Sequence, residues 1–209
     1  EIAKARELFA RASAADPKDA VSLQAWALLE KEQGEIAKAR ELFARASAAD
    51  PKDAVSLQAW ALLEKEQGEI AKARELFARA SAADPKDAVS LQAWALLEKE
   101  QGEIAKAREL LESGLRRVTY RRGRALLLST LGSLLAEQGD YNSAEAHFLQ
   151  ALKLDEKDPL THYHFAVRVL LPTNRREEAC KHLRRALELR PRKARDRQRI
   201  EQALRRNCR

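Results

Sequence analysis

Residues 35–68 read EIAKARELFARASAADPKDAVSLQAWALLEKEQG, and the same string occupies 1–34 and 69–102 without one change. A fixed 34-residue period is the mark of a repeat architecture. Within the unit the apolar spacing is helical. Ala54, Leu57, Trp60, Ala61 and Glu64 fall at i, i+3, i+6, i+7 and i+10, one stripe of a helix. Beyond Gly68, the residues Ile70, Ala73, Leu76, Phe77 and Ala80 form a second stripe. Asp53 suits the N-cap of the first helix and Gly68 its left-handed end. Pro85 closes the second helix before Asp87 opens the next. A Gly and a Pro in every unit exclude one long helix, and no heptad is sustained to support a coiled coil.

Each unit is therefore two antiparallel helices of roughly 14 residues. Neither buries its stripe alone, so neighbours must stack, and the chain reads as an all-α solenoid. Helices are expected at 2–15, 20–33, 36–49, 54–67, 70–83, 88–101 and 104–118. The glycine period stretches from 34 to 37 between Gly102 and Gly139, which places extra residues near Tyr120–Arg124. Past residue 110 the copying degenerates but the plan persists, with helices expected at 123–138, 141–154, 159–171 and 175–190. A last helix, about 192–206, has few apolar residues, as a cap with a wet outer face should. This divides the chain into identical repeats (1–102), degenerate repeats (103–191) and a basic cap and tail (192–209).

A 34-residue helix–turn–helix unit of this pattern resembles the tetratricopeptide repeat. Leu128, Leu131, Gly132, Leu135, Gly139, Tyr141, Ala144, Phe148 and Ala151 carry the resemblance most closely. Phe165, Ala166, Ala179, Leu183, Ala186 and Pro191 carry it more loosely, with Pro172-Thr173-Asn174 where a Gly turn is usual. The identical units, through Trp60-Ala61, Glu64, Ala73-Arg74, Phe77 and Arg79-Ala80, look like the half-a-TPR (HAT) sub-family, whose members are commonly RNA-processing factors. The resemblance implies a right-handed superhelical solenoid. Trp60 and Phe77 are expected in the core, and Glu64 in an ion pair with Arg74 or Arg79.

It also implies an extended peptide bound on the concave face lined by each unit's first helix. The positions on that face are Val55, Gln58, Leu62, Lys65 and Glu66, then Val89, Gln92, Leu96, Lys99 and Glu100, and later Ser129, Ser133, Tyr163 and Val167. The Lys and Asn clamp that chaperone-binding repeats use on a peptide's terminal carboxylate is missing, because Gln58 and Leu62 stand in its place.

The chain carries 39 Lys and Arg against 32 Asp and Glu, a net charge of +7. Each identical copy has five basic and six acidic residues, so the excess lies beyond residue 102, mostly from Arg175 onward. One basic knot is Arg116, Arg117, Arg121, Arg122 and Arg124 around Tyr120; a second comprises Arg184, Arg185, Arg192, Lys193, Arg195 and Arg199. Such clusters are what phosphate binding requires, through counterion release, and a Tyr among arginines can stack a base. RNA binding is thus the alternative to a protein partner.

Catalytic and metal patterns are missing: the sequence has no Gly-rich phosphate loop, no GxSxG and no HExxH. His162 and His164 lie at i, i+2 and point apart on a helix, so His162 reads as a core histidine and no zinc site is expected. No enzyme activity or cofactor is expected. Two cysteines, Cys180 and Cys208, are too few for a disulfide framework and point to a reducing, intracellular compartment. No apolar run is long enough to span a membrane. Three perfect copies imply recent duplication or design, and a designed array without a natural ligand is a further alternative. The apolar stripe of residues 1–15 (Ile2, Ala5, Leu8, Phe9, Ala12) invites end-to-end self-association.

Overall fold

The computed structural model describes residues 1–208, and among them it is all helical. The helices are α1 (Ile2–Ala15), α2 (Ala20–Glu32), α3 (Ile36–Ala49), α4 (Ala54–Glu66), α5 (Ile70–Ala83), α6 (Ala88–Glu100), α7 (Ile104–Arg117), α8 (Arg121–Glu137), α9 (Tyr141–Leu154), α10 (Pro159–Phe165), α11 (Arg176–Glu188) and α12 (Ala194–Asn207). The chain forms two compact units, Glu1–Leu97 and Glu98–Arg209, whose boundary falls within α6. No helix is long and apolar enough to cross a membrane.

In the first unit the pairs α2/α3 and α4/α5 pack face to face. Asp19 and Asp53 cap α2 and α4, accepting from the amides of Ser22 (3.1 Å) and Val55 (3.0 Å). Gly68 takes φ +79°, a left-handed turn that an L side chain resists. The expected stripes become the core: Leu23, Ala27, Ala39, Leu42, Phe43, Ala46 and Leu63 form one cluster, and Leu57, Ala61, Ala73, Leu76, Phe77, Ala80 and Leu97 the next. Phe77 is fully buried as expected. Trp60 is only partly buried and stacks beside Phe43, the ring centroids 6.5 Å apart.

The ion pair of Glu64 differs from the sequence expectation. Its partner is Arg40, on the second helix of the preceding repeat, with Nη2 2.6 Å from Oε2. Trp60 Nε1 donates to the same carboxylate at 2.7 Å. Arg79 instead donates to the Ser47 hydroxyl at 2.6 Å. Arg6, Trp26 and Glu30 repeat the first arrangement one period earlier. A repeating pattern fixes which residues are polar within the core, but stacking fixes which neighbour satisfies them.

In the second unit the extra residues do not loop out. They lengthen α8 to 17 residues, so it begins at Arg121 rather than 123. Gly132 lets α8 and α9 approach closely: a Cβ there would lie 3.1 Å from the Ala144 carbonyl and the Phe148 ring. α10 runs into a π-helical turn, Ala166–Leu170, which takes up one extra residue and keeps Phe165, Ala166, Val169 and Leu170 all buried. Asn174, at φ 60°, takes the left-handed role that glycine has elsewhere. α12 buries Ile200 alone among its residues. Cys180 and Cys208 are joined by a disulfide, a pairing the cysteine count did not call for, which fastens α11 to the residue following α12.

Candidate binding faces

The first helices of the identical repeats leave an apolar row in solvent. Val21, Val55 and Val89, 34 residues apart, are 71%, 59% and 50% exposed. Their exposure follows from the helical period, because each sits between the buried positions of its own stripe. Gln58, Gln92, Leu62 and Leu96 are half-buried on the same helices, as is Lys65. At the same position one repeat earlier, Lys31 is committed: its Nζ meets Glu66 at 2.8 Å, one first helix to the next.

In the second unit Lys99, expected to face a ligand, is also engaged. Its Nζ lies 2.9 Å from Glu137 Oε1, and Arg168 closes on the same oxygen. Burial alone would raise the Glu137 carboxyl, but the two cations outweigh it and hold it below the ordinary value. Ser129 is a correction: it lies on the buried side of α8 and is not open to a ligand. Ser133 is half-buried and its hydroxyl, enclosed, has no hydrogen-bond partner. Tyr163 and Val167 are half-buried, and the Tyr163 ring lies 5.3 Å from that of His164.

The first basic knot is partly structural. Arg124 donates to the carbonyls of Leu115 (2.6 Å) and Val118 (3.2 Å), closing the end of α7. Arg117 bonds back to Ser113. Arg116, Arg121 and Arg122 remain exposed, with Arg122 loosely facing Asp155 at 3.9 Å. The Tyr120 ring lies over Gly123, where a Cβ would meet it at 2.4 Å. In the second cluster Arg185 pairs with Glu188 at 3.2 Å, while Arg184, Arg192, Lys193, Arg195 and Arg199 are exposed. The fold joins parts of the two clusters: Arg122 lines a cleft of about 540 Å³ together with Lys157, Arg190, Arg192 and Lys193, five cations set among Asp155, Asp158 and Asp196.

His162 is a core histidine, as expected, but it is not alone. Its Nδ1 lies 2.8 Å from Nδ1 of His182, and its Nε2 3.0 Å from the Glu156 carbonyl. The carbonyl can only accept, so His162 carries its proton on Nε2 and His182 donates from Nδ1. Burial and the facing His162 lower the pKa of His182. Desolvation lowers that of His164 to about 4. No group of three or more His, Cys, Asp or Glu among the described residues is placed to hold a metal. The pairing joins residues 20 apart on two helices, and no sequence pattern announces it.

Family models for the tetratricopeptide repeat match residues 24–88, 86–157 and 162–193. Among solved structures, PilF of Pseudomonas aeruginosa is similar at TM-score 0.69 and 18% identity, over 91% of this chain and 93% of that one. Yeast Tom70 reaches 0.79 at 15% identity; it covers 95% of this chain, which spans 42% of that structure. YrrB, described as a tetratricopeptide protein with an unusual peptide-binding site, reaches 0.56 at 17% identity, over 94% and 97%. No curated protein matches the sequence at a significant level. With the helix pairs, the left-handed turns and the packing of Gly132 on Phe148 all in place, the chain belongs to the tetratricopeptide-repeat family.

Proposed function

We propose that the protein is a non-catalytic interaction scaffold that holds an extended peptide along the first helices of its identical repeats. The observation that carries this reading is the row Val21, Val55 and Val89, three apolar side chains kept in water at one position of each repeat. Folding alone has no use for them there, whereas a peptide side chain gains by covering them.

The row also sets the ligand's pattern. Packed helices lie about 8–10 Å apart, and an extended polyproline-type chain advances about 3.1 Å per residue. An apolar residue at every third position would meet successive valines. The Lys31–Glu66 pair at the helix ends neutralises the flank, so charge contributes little.

The test is an anisotropy titration of labelled 12-residue peptides with leucine at every third position, against the same residues shuffled. The periodic peptide is expected to bind at least tenfold tighter. Val55→Lys together with Val89→Lys should abolish the difference while leaving the helical signal unchanged. Equal binding of periodic and shuffled peptides would overturn the reading.

A further inference from the structure

Among the cavities, the histidine pair and the charged surfaces, α12 carries the furthest inference. Its inner side rests on α11 through one buried residue, Ile200. On its outer side Arg195, Arg199, Gln202 and Arg206 follow at i, i+4, i+7 and i+11, a single stripe. All four are exposed. Among the described residues Arg195, Arg199 and Arg206 enter no ion pair, whereas Arg197, on another side of the helix, pairs with Glu201 at 2.9 Å. The remaining acid of α12, Asp196, is half-buried at the cleft, away from the stripe.

Three exposed guanidiniums spaced along about 16 Å of one helix face form a positive stripe to which a polyanion binds with release of its counterions. We propose that the outer face of α12 binds the phosphate backbone of single-stranded RNA, with Arg195, Arg199 and Arg206 each meeting a phosphate and the Arg122–Lys193 cleft receiving the strand beyond Arg195. Arginine predominates here over lysine, and its planar fork suits phosphate oxygens. The stripe holds no apolar residue to insert between lipids, so a membrane surface is a poorer fit. The disulfide at Cys208 holds the far end of the helix in place, so the arginines are presented on a fixed surface.

The experiment is an anisotropy titration of a labelled 20-nucleotide oligouridylate on the oxidised full chain, from 50 to 200 mM salt. Binding should weaken with a linear log–log slope. The variant R195Q/R199Q/R206Q should reduce that slope by about 2, at roughly 0.7 per phosphate lost. R195K/R199K/R206K should retain most of it, and R197Q should leave it unchanged. Circular dichroism of each variant shows whether α12 is kept; glutamine and lysine are both good helix formers. No binding at 50 mM salt, an unchanged slope in the glutamine variant, or tighter binding of a polyglutamate of equal charge would each overturn the proposal.

Discussion

Arg40 reaches from the second helix of one repeat to Glu64 on the first helix of the next, Nη2 to Oε2 at 2.6 Å and Nε to Oε1 at 2.9 Å. The carboxylate is buried and the guanidinium half open to solvent. Such a pair adds little over an apolar substitute, but breaking it leaves a buried charge without its cation. Arg40→Ala should therefore destabilise the array by about 3 kcal/mol, the low end for a buried pair because the guanidinium is half open, seen as a lower urea midpoint. Glu41→Ala, whose carboxylate is exposed with Lys38 2.9 Å away, should cost well under 1 kcal/mol. Equal costs would mean that the pair does not join the repeats.

Gly132→Ala places a methyl 3.1 Å from the Ala144 carbonyl and the Phe148 ring. Neither neighbour can retreat far: one is helix backbone, and the other is a fully buried ring 5.6 Å from Phe165. The expected loss is about 1–3 kcal/mol, against the gain that the same change brings in an exposed helix. A thermal scan of the variant decides the sign.

The Cys180–Cys208 bond closes 28 residues that include all of α12. A loop of that size is worth about 3–4 kcal/mol in chain-entropy terms, and α12 has little else to hold it beyond Ile200. Reduction, or Cys208→Ser, should therefore release α12 first. Hydrogen exchange in 194–207 should accelerate while the α8/α9 amides keep their protection.

Three histidines shape the acid side of the stability profile. His164 (to about 4), His147 and His182 all fall below the ordinary value, each chiefly through desolvation. The unfolded chain then binds more protons than the folded one between pH 6.5 and about 4, so stability is full above 6.5 and falls as the pH drops through that window. His164 alone accounts for roughly 3 kcal/mol at the acid end. His164→Gln should flatten the decline in urea midpoint from pH 7 to 4.5; an unchanged decline would exclude His164 as its source.

Much of this was legible in the residues themselves. The 34-residue period and the two apolar stripes set the helices, their turns and most of the core, because helical burial depends on spacing along one chain. Phe77, Gly132 and Phe148 stand where that spacing places them. Val55 and Val89 were legible through the family resemblance, not through the stripe. What the tertiary structure decided are the pairings across elements: Glu64 with Arg40, Glu137 with Lys99 and Arg168, His162 with His182, Cys180 with Cys208. Each joins residues 20 to 38 apart. Whether such partners meet depends on how one helix pair is rotated against the next, which side-chain volumes at the contact determine and no periodicity encodes. The same holds for the π turn at Ala166–Leu170, which shifts the register of α10 so that four residues are buried together. A local sequence pattern fixes what a helix must bury; only the packed neighbours fix with whom.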